Sequence, residues 1–297
     1  MSAADVANLL VAALLLAGVY AAMSVGMTII YGVMKIVNLA HAGFLMLGAY
    51  FVYELHERWG LDPLLGALAA LPVFFGAGMA VHRLLLRRLP RSDRPALPSL
   101  LLLFGLWLVL QNVAYLVWGS DDRAILTPRT LAVLRLGPIV VPVVRLAVFG
   151  AAVAAVGVLE FVLRRTWFGR AVRAVMQNEE AALLAGVDVQ ATAELAFGAG
   201  VALAGAAGGL LAMLYSFSPD FGAGFLLRSF VIIVLGGLES FAGVAAGALI
   251  LALLESASIF VLPASYQPAV AFGALLVALV VLPDGVSGLW RRVRSAP

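Results

Sequence analysis

The 297-residue sequence has no cysteine, one lysine and three histidines, and charged residues make up only 12% of it. Without cysteine there is no disulfide, no thiolate metal site and no cysteine nucleophile. The single lysine, Lys35, is followed by Ile36, so the phosphate-binding pattern G-x-x-x-x-G-K-[ST] is missing and ATP hydrolysis by that route is excluded. His56-Glu57 opens a helical zinc-protease pattern, but Gly60 stands where the second histidine is required, and no metal site is evident. No cofactor is implied. Soluble domains carry about 25% charged residues because a folded surface must face water, and here half of that is missing.

Hydrophobic residues make up 64% of the chain. At about 20 residues per spanning helix they supply at most about nine spans and leave no room for a soluble catalytic domain. The net charge of +3 would point to nucleic acid in a soluble protein. In a lipid membrane it reflects basic cytoplasmic loops, and no nucleic-acid partner is read from it.

Spans in hydrocarbon must be helices or closed barrels, because unpaired backbone groups are too costly there. Long apolar runs without two-residue alternation, such as Leu97–Val117, choose helices. The fold expected is therefore all-α, a polytopic transmembrane helical bundle of about eight to nine spans forming a single domain over residues 1–297. Val6–Ile30 is too long for a signal peptide and has no basic residue before it, so it reads as the first span. Thirteen of the 19 basic residues fall in dense groups: Lys35; Arg83, Arg87, Arg88, Arg91 and Arg94; Arg164, Arg165, Arg170 and Arg173; and Arg291, Arg292 and Arg294. Placing these inside gives spans near 6–31, 40–55, 63–83, 98–118, 143–163, 193–214, 228–238, 242–261 and 267–283, with the N-terminus outside and the C-terminus cytoplasmic. The scattered Arg58, Arg123, Arg129, Arg135, Arg145 and Arg228 are assigned to the outside.

Two stretches, near 35–50 and 228–245, are short and Gly-flanked, and read as broken or re-entrant. YGVMKIVNLAHAGFLMLGAY (31–50) and LGGLESFAGVAAGALILALLES (235–256) each place a polar interruption before a Gly/Ala-rich helix. Paired interruptions of this kind mark the substrate path of many transporters, since irregular backbone at membrane depth survives only where it lines a cavity or is buried in protein. Asn38, His41, Glu239 and Ser240 are the candidate path residues; the alternative for His41 is a packing histidine. Gln111 and Asn112 read as interhelical hydrogen-bonding groups, Glu255 as another such group or as part of the path, and the glycines as close-packing positions.

The polar loop 164–190 carries helix punctuation. Asn178 is an N-cap, Glu179 and Glu180 suit the first turn, Ala181, Ala182, Leu183, Leu184 and Ala185 propagate, and Gly186 ends the helix. Beside the basic Arg173, such a helix presents Leu183 and Leu184 to a soluble partner; the alternative is a solvated connector. Gly285-Val286-Ser287-Gly288 resembles the G-x-S-G of intramembrane serine proteases, but its setting reads as a turn leaving the membrane.

Glu180-Ala181-Ala182 with Gly186 resembles the EAA…G loop through which bacterial ABC importers contact their ATPases, without the Ile-x-Leu-Pro that often follows. Together, YGVMKIVNLAHAGFLMLGAY, FGRAVRAVMQNEEAALLAGVDV and VIIVLGGLESFAGVAAGALI resemble, in order and spacing, three regions of the branched-chain amino acid ABC transporter permeases, the Liv-type inner-membrane subunits, and most closely the smaller subunit. The resemblance covers nearly the whole chain. It implies a multi-pass protein of the bacterial inner (plasma) membrane that is not itself an enzyme. Its implied partners are a second permease subunit in a hetero- or homodimer, two cytoplasmic ABC ATPase subunits and a periplasmic substrate-binding protein that delivers branched-chain amino acids. The rivals are a sibling ABC permease for urea, amides or sugars, and an ion-coupled secondary carrier, which would be expected to hold more intramembrane carboxylates.

Overall fold

The structure, a computed structural model, describes residues 2–89, 96–263, 266–282 and 285–288. Arg91, Arg94, Arg291, Arg292 and Arg294 lie outside the described residues. The chain is an all-α helical bundle. Helix α1 (Ala3–Met34) starts in a capping box, with Ser2 and Asp5 each bonding the other's backbone, and stops at Lys35, whose φ of 54° is left-handed. After a turn come α2 (His41–Trp59) and α3 (Pro63–Leu84). Gly60 closes α2 in the left-handed region, Asp62 caps α3 through the Leu64 N–H, and Pro63 occupies its first position.

Helix α4 (Ala96–Trp118) is followed by the single turn α5 (Pro128–Leu131) and an antiparallel hairpin, β1 (Val133–Leu136) and β2 (Ile139–Pro142), paired Val133 to Pro142 through Leu136 to Ile139. Helix α6 (Val143–Arg165) leads into two short helices, α7 (Trp167–Gln177) and α8 (Glu179–Leu184). The remainder is α9 (Val189–Ala212), α10 (Phe221–Gly236), α11 (Phe241–Ser258) and α12 (Gln267–Val281). Seven helices, α1, α3, α4, α6, α9, α11 and α12, are long and apolar enough to cross a membrane, and α10 is a shorter apolar helix. Leu101, Leu116, Val158 and Val280 are mostly exposed on the outer faces of α4, α6 and α12. Apolar exposure on this scale is stable against lipid and not against water.

Helix α9 forms the centre, packed on α1, α2 and α3 and buried along almost all of its length. Its Gly and Ala residues make this possible. A Cβ added at Gly208 would stand 1.9 Å from the Leu45 carbonyl oxygen, and one at Gly48 would stand 2.0 Å from that of Gly205, so α2 and α9 cross backbone to backbone. The α10–α11 hairpin closes in the same way: a Cβ on Gly243 would lie 2.0 Å from the Gly236 carbonyl oxygen.

Contacts distinguish the two ends of the bundle. At one end, Lys35, Arg83, Arg164, Arg165 and the α7–α8 pair gather around the starts of α9 and α11. At the other, the Asn8 amide donates to the Pro138 carbonyl while its side-chain oxygen accepts from Val140, tying α1 to the hairpin. There too Arg129 pairs with Asp62 at 2.6 Å, and Trp118 donates to Glu54 at 2.6 Å.

Nine expected spans correspond to nine helices, with four departures. The expected 228–238 segment is part of a longer helix beginning at Phe221, because Phe221–Leu227 is itself mostly apolar and Gly222 packs on Ala42. Arg228, assigned to the outside, sits inside that helix with its side chain 12% exposed, because a carboxylate faces it there. The hairpin and α7 carry no apolar period long enough to read as spans. Gln111 does bridge helices, donating to Asp220 at 2.7 Å, but Asn112 bonds Leu108 in its own helix.

Gly208→Ala should lower the thermal unfolding midpoint of the detergent-solubilised protein by several degrees, since the overpacked crossing must separate at a cost of about 1–3 kcal/mol. Gly105→Ala in α4, where an added Cβ meets nothing within 4 Å, should leave it unchanged or slightly raised.

Candidate functional site

The loop after α6 folds into two capped helices. Thr166 caps α7 by accepting from Gly169, and the buried face of α7 is Gly169, Ala171, Val172 and Val175. Gly169 sits so near α6 that a Cβ would lie 1.8 Å from the Leu163 carbonyl oxygen, and Arg173 donates to that same oxygen. Asn178 then caps α8 by accepting from Ala181 at 2.9 Å. The helix ends in a Schellman motif, in which Gly186 (φ 84°) donates to Leu183 and Val187 reaches back to Ala182. Ala182 is buried, while Leu183 and Leu184 are 63% and 90% exposed. Two adjacent leucines held outward by caps at both ends make a rigid apolar knob on the basic end.

Helix α7 also touches the end of α1. A Cβ at Gly32 would lie 2.5 Å from the Met176 terminal methyl carbon. Three residues further on, Lys35 forms an ion pair with Glu239, joining the break after α1 to the break before α11. Both side chains are about half exposed, so the pair is worth little as a static contact and separates easily. Ser240 caps α11 by accepting from Gly243 at 3.0 Å. A cavity of about 660 Å³ adjoins the pair, lined by Glu239 and Ser240 on one side and Arg164, Arg173 and Met176 on the other.

Asn38 and His41 occupy a different setting. Both are fully buried, and neither amide atom of Asn38 nor either ring nitrogen of His41 has a hydrogen-bond partner among the described residues. His41 approaches the Met23 backbone without reaching good hydrogen-bond geometry. Met23 lies 12 residues before Lys35, about 18 Å along the helix axis, which puts the start of α2 well inside the bundle. Ser24 on α1 and Ser229 on α10 are likewise fully buried with unpartnered hydroxyls among the described residues, and α10 packs on both α1 and α2. An unmet buried polar group costs about 1–3 kcal/mol, so several on three neighbouring elements call for a functional explanation. The four candidate path residues thus divide into a buried pair, Asn38 and His41, and a half-exposed rim, Glu239 and Ser240.

A third polar group centres on Glu255, which bridges helices as its sequence suggests, although its partners were not identifiable there. Glu255 on α11, 1% exposed, accepts from the Tyr20 hydroxyl of α1 at 2.5 Å and from Arg228 Nε of α10 at 2.8 Å. The Arg228 guanidinium also lies 5.3 Å from the Phe225 ring centre. A carboxylate and a guanidinium each inside an apolar helix were the available signal; their pairing across 27 residues was not visible without the fold. Ser287 is buried, with no hydrogen-bond partner for its hydroxyl among the described residues, so no base stands against it. Among the described residues no three metal-ligating side chains converge.

Residues 9–281 match the family described as branched-chain amino acid transport system / permease component. The chain is 31% identical to the high-affinity branched-chain amino acid transport system permease protein BraD of Pseudomonas aeruginosa, over 94% of each chain. It is 29% identical to the LivH permease protein of Escherichia coli over 92% of each. It is also 25% identical to a probable LivH permease protein of Methanocaldococcus jannaschii over 92% of this chain and 90% of that one. No solved structure matches it significantly.

Arg228→Ala should destabilise the protein by about 3–5 kcal/mol, because it strands a buried carboxylate, whereas the double replacement Arg228→Met/Glu255→Leu should recover most of that loss. Thermal unfolding of the purified single and double variants measures both.

Proposed function

The chain belongs to the permease-component family of branched-chain amino acid transport systems, and from that premise we propose that it is the membrane-spanning subunit of an ATP-driven importer of aliphatic amino acids. Its partners in this reading are a second permease subunit, two cytoplasmic ATPases and a periplasmic binding protein that delivers the substrate. The basic end faces the cytoplasm of a bacterial inner membrane, by the rule that Lys and Arg accumulate on that side, and the N-terminus is periplasmic. The chain is a single transmembrane permease domain, and residues 164–190 are its coupling loop.

One observation carries the proposal: α8 is capped at both ends and turns Leu183 and Leu184 outward beside basic residues. An ATPase groove that accepts this knob gains or loses contact as nucleotide changes its shape, and that differential contact biases the permease. The route inward is short. Helix α8 follows α7, α7 holds α1 through Met176 and Gly32, and α1 ends at the Lys35–Glu239 pair. Displacement of α7 would pull on that pair and on the segment that leads to Asn38 and His41. These two, with Ser24 and Ser229, then line the path when it opens, where a passing zwitterion meets polar groups without a fixed charge.

Replacing Glu180 and Gly186 together by alanine should abolish leucine uptake in the assembled transporter while ATP hydrolysis continues and membrane insertion stays normal. Alanine at Gly186 is strained at a φ of 84° and loosens the end of α8. Uptake unchanged in the double variant rejects the docking role, and wild-type uptake of urea or acetamide in preference to leucine rejects the substrate class. Lys35→Glu and Glu239→Lys should each reduce leucine uptake several-fold, and the charge-swapped double variant should regain most of it. Radiolabel uptake into proteoliposomes tests the pair.

A further inference from the structure

At the end of the bundle opposite α8, a cavity of about 360 Å³ opens between α1, the first turn of α6, the end of α11 and the start of α12. It shares no lining residue with the basic-end cavity. Its volume lies at the small end of ligand pockets, which run from about 300 to 1,000 Å³. Two features of its wall stand out.

The first is charge of both signs. Arg145 lines the cavity and forms no ion pair or hydrogen bond among the described residues. Asp5 contributes an exposed carboxylate on the rim, and Glu255, whose two oxygens accept from Tyr20 and Arg228, belongs to the floor. The second feature is that the rest of the wall is aliphatic and aromatic, with Leu9, Leu16, Ile259 and Phe260 among its residues.

A cation with no counter-ion among the described residues, a carboxylate on the rim and an apolar wall in one small cavity describe the complement of an α-amino acid with a branched hydrocarbon side chain. We infer that this cavity is an entry site for the zwitterion, taken up before it reaches the buried Asn38 and His41. Arg145 holds the carboxylate in a charge-assisted hydrogen bond, Asp5 on the rim attracts the ammonium, and the apolar wall takes the side chain. The Arg228–Glu255–Tyr20 group closes the floor beneath this site and joins the three helices that carry it. This inference rests on the proposed amino-acid transport, and it adds a location and a binding chemistry.

The test uses the complete transporter in lipid nanodiscs without its binding protein, with radiolabelled L-leucine as probe. Isoamylamine, which lacks the carboxylate, and 4-methylpentanoate, which lacks the ammonium, serve as competitors. Leucine should compete at least tenfold better than either. Arg145→Ala should weaken leucine at least tenfold and leave isoamylamine unchanged, and Arg145→Lys should restore leucine to within about threefold of wild type. Arg145 is exposed, so its replacement spares the packing that loss of Glu255 would disturb. Leucine binding that Arg145→Ala does not change, or competition by all three ligands with equal strength, overturns the entry site. Either result leaves the transport function standing if wild-type uptake of leucine persists; failure of that uptake strikes the function itself.

Discussion

Backbone-to-backbone contact along α9 is the constraint on which the bundle depends. Between helices in lipid there is no hydrophobic force to gain, because the acyl chains are as apolar as leucine, so association rests on close packing and hydrogen bonds. Helix α9 supplies the packing through Gly200, Gly205, Gly208 and Gly209, each of which meets α1, α2 or α3 where a side chain would collide. With α9 fixed, α2 crosses it at Gly48 and α3 lies along it at Gly78. That crossing holds the unusual start of α2, and with it Asn38 and His41, inside the protein.

The polar residues divide by depth, and each depth has its own physics. At the two ends, ion pairs are within reach of water, Arg83–Glu194 joining α3 to α9 and Arg129–Asp62 joining α5 to the cap of α3. Inside, Glu255 is tolerated only because Tyr20 and Arg228 occupy both of its oxygens. The unpartnered amide of Asn38 and imidazole of His41 fit neither pattern. A stably closed core would have bonded or replaced them, which is what recommends them for the proposed path.

Much of this was legible in the sequence because hydrocarbon imposes a simple code. Apolar length marked the helices, and arginine density marked the end that carries α8. Asn178 and Gly186 marked the two ends of α8 to within one residue, since capping is a local matter of one side chain and one φ angle. What stayed hidden was non-local. Arg228 looked like a loop residue because a lone charge in an apolar run has no visible partner, and its partner is on another helix. Glu239 and Asn38 looked equivalent because each interrupts an apolar run. The fold leaves one half exposed in an ion pair and buries the other completely. The α7 helix was missed because a buried face of Gly169, Ala171, Val172 and Val175 is too small in side-chain volume to stand out among so many alanines and valines.

Lys35 has a chemical consequence as well as a structural one. Apart from the α-amino group, it carries the one primary amine in the chain, and it sits where the breaks after α1 and before α11 are joined. A succinimidyl ester or a reductive methylation reagent therefore modifies a single side chain without any engineered residue. An isotope-labelled methyl group placed on that amine would give one resonance from the joint between the two breaks, so the natural sequence already contains a reporter at the position where a change of state would be read.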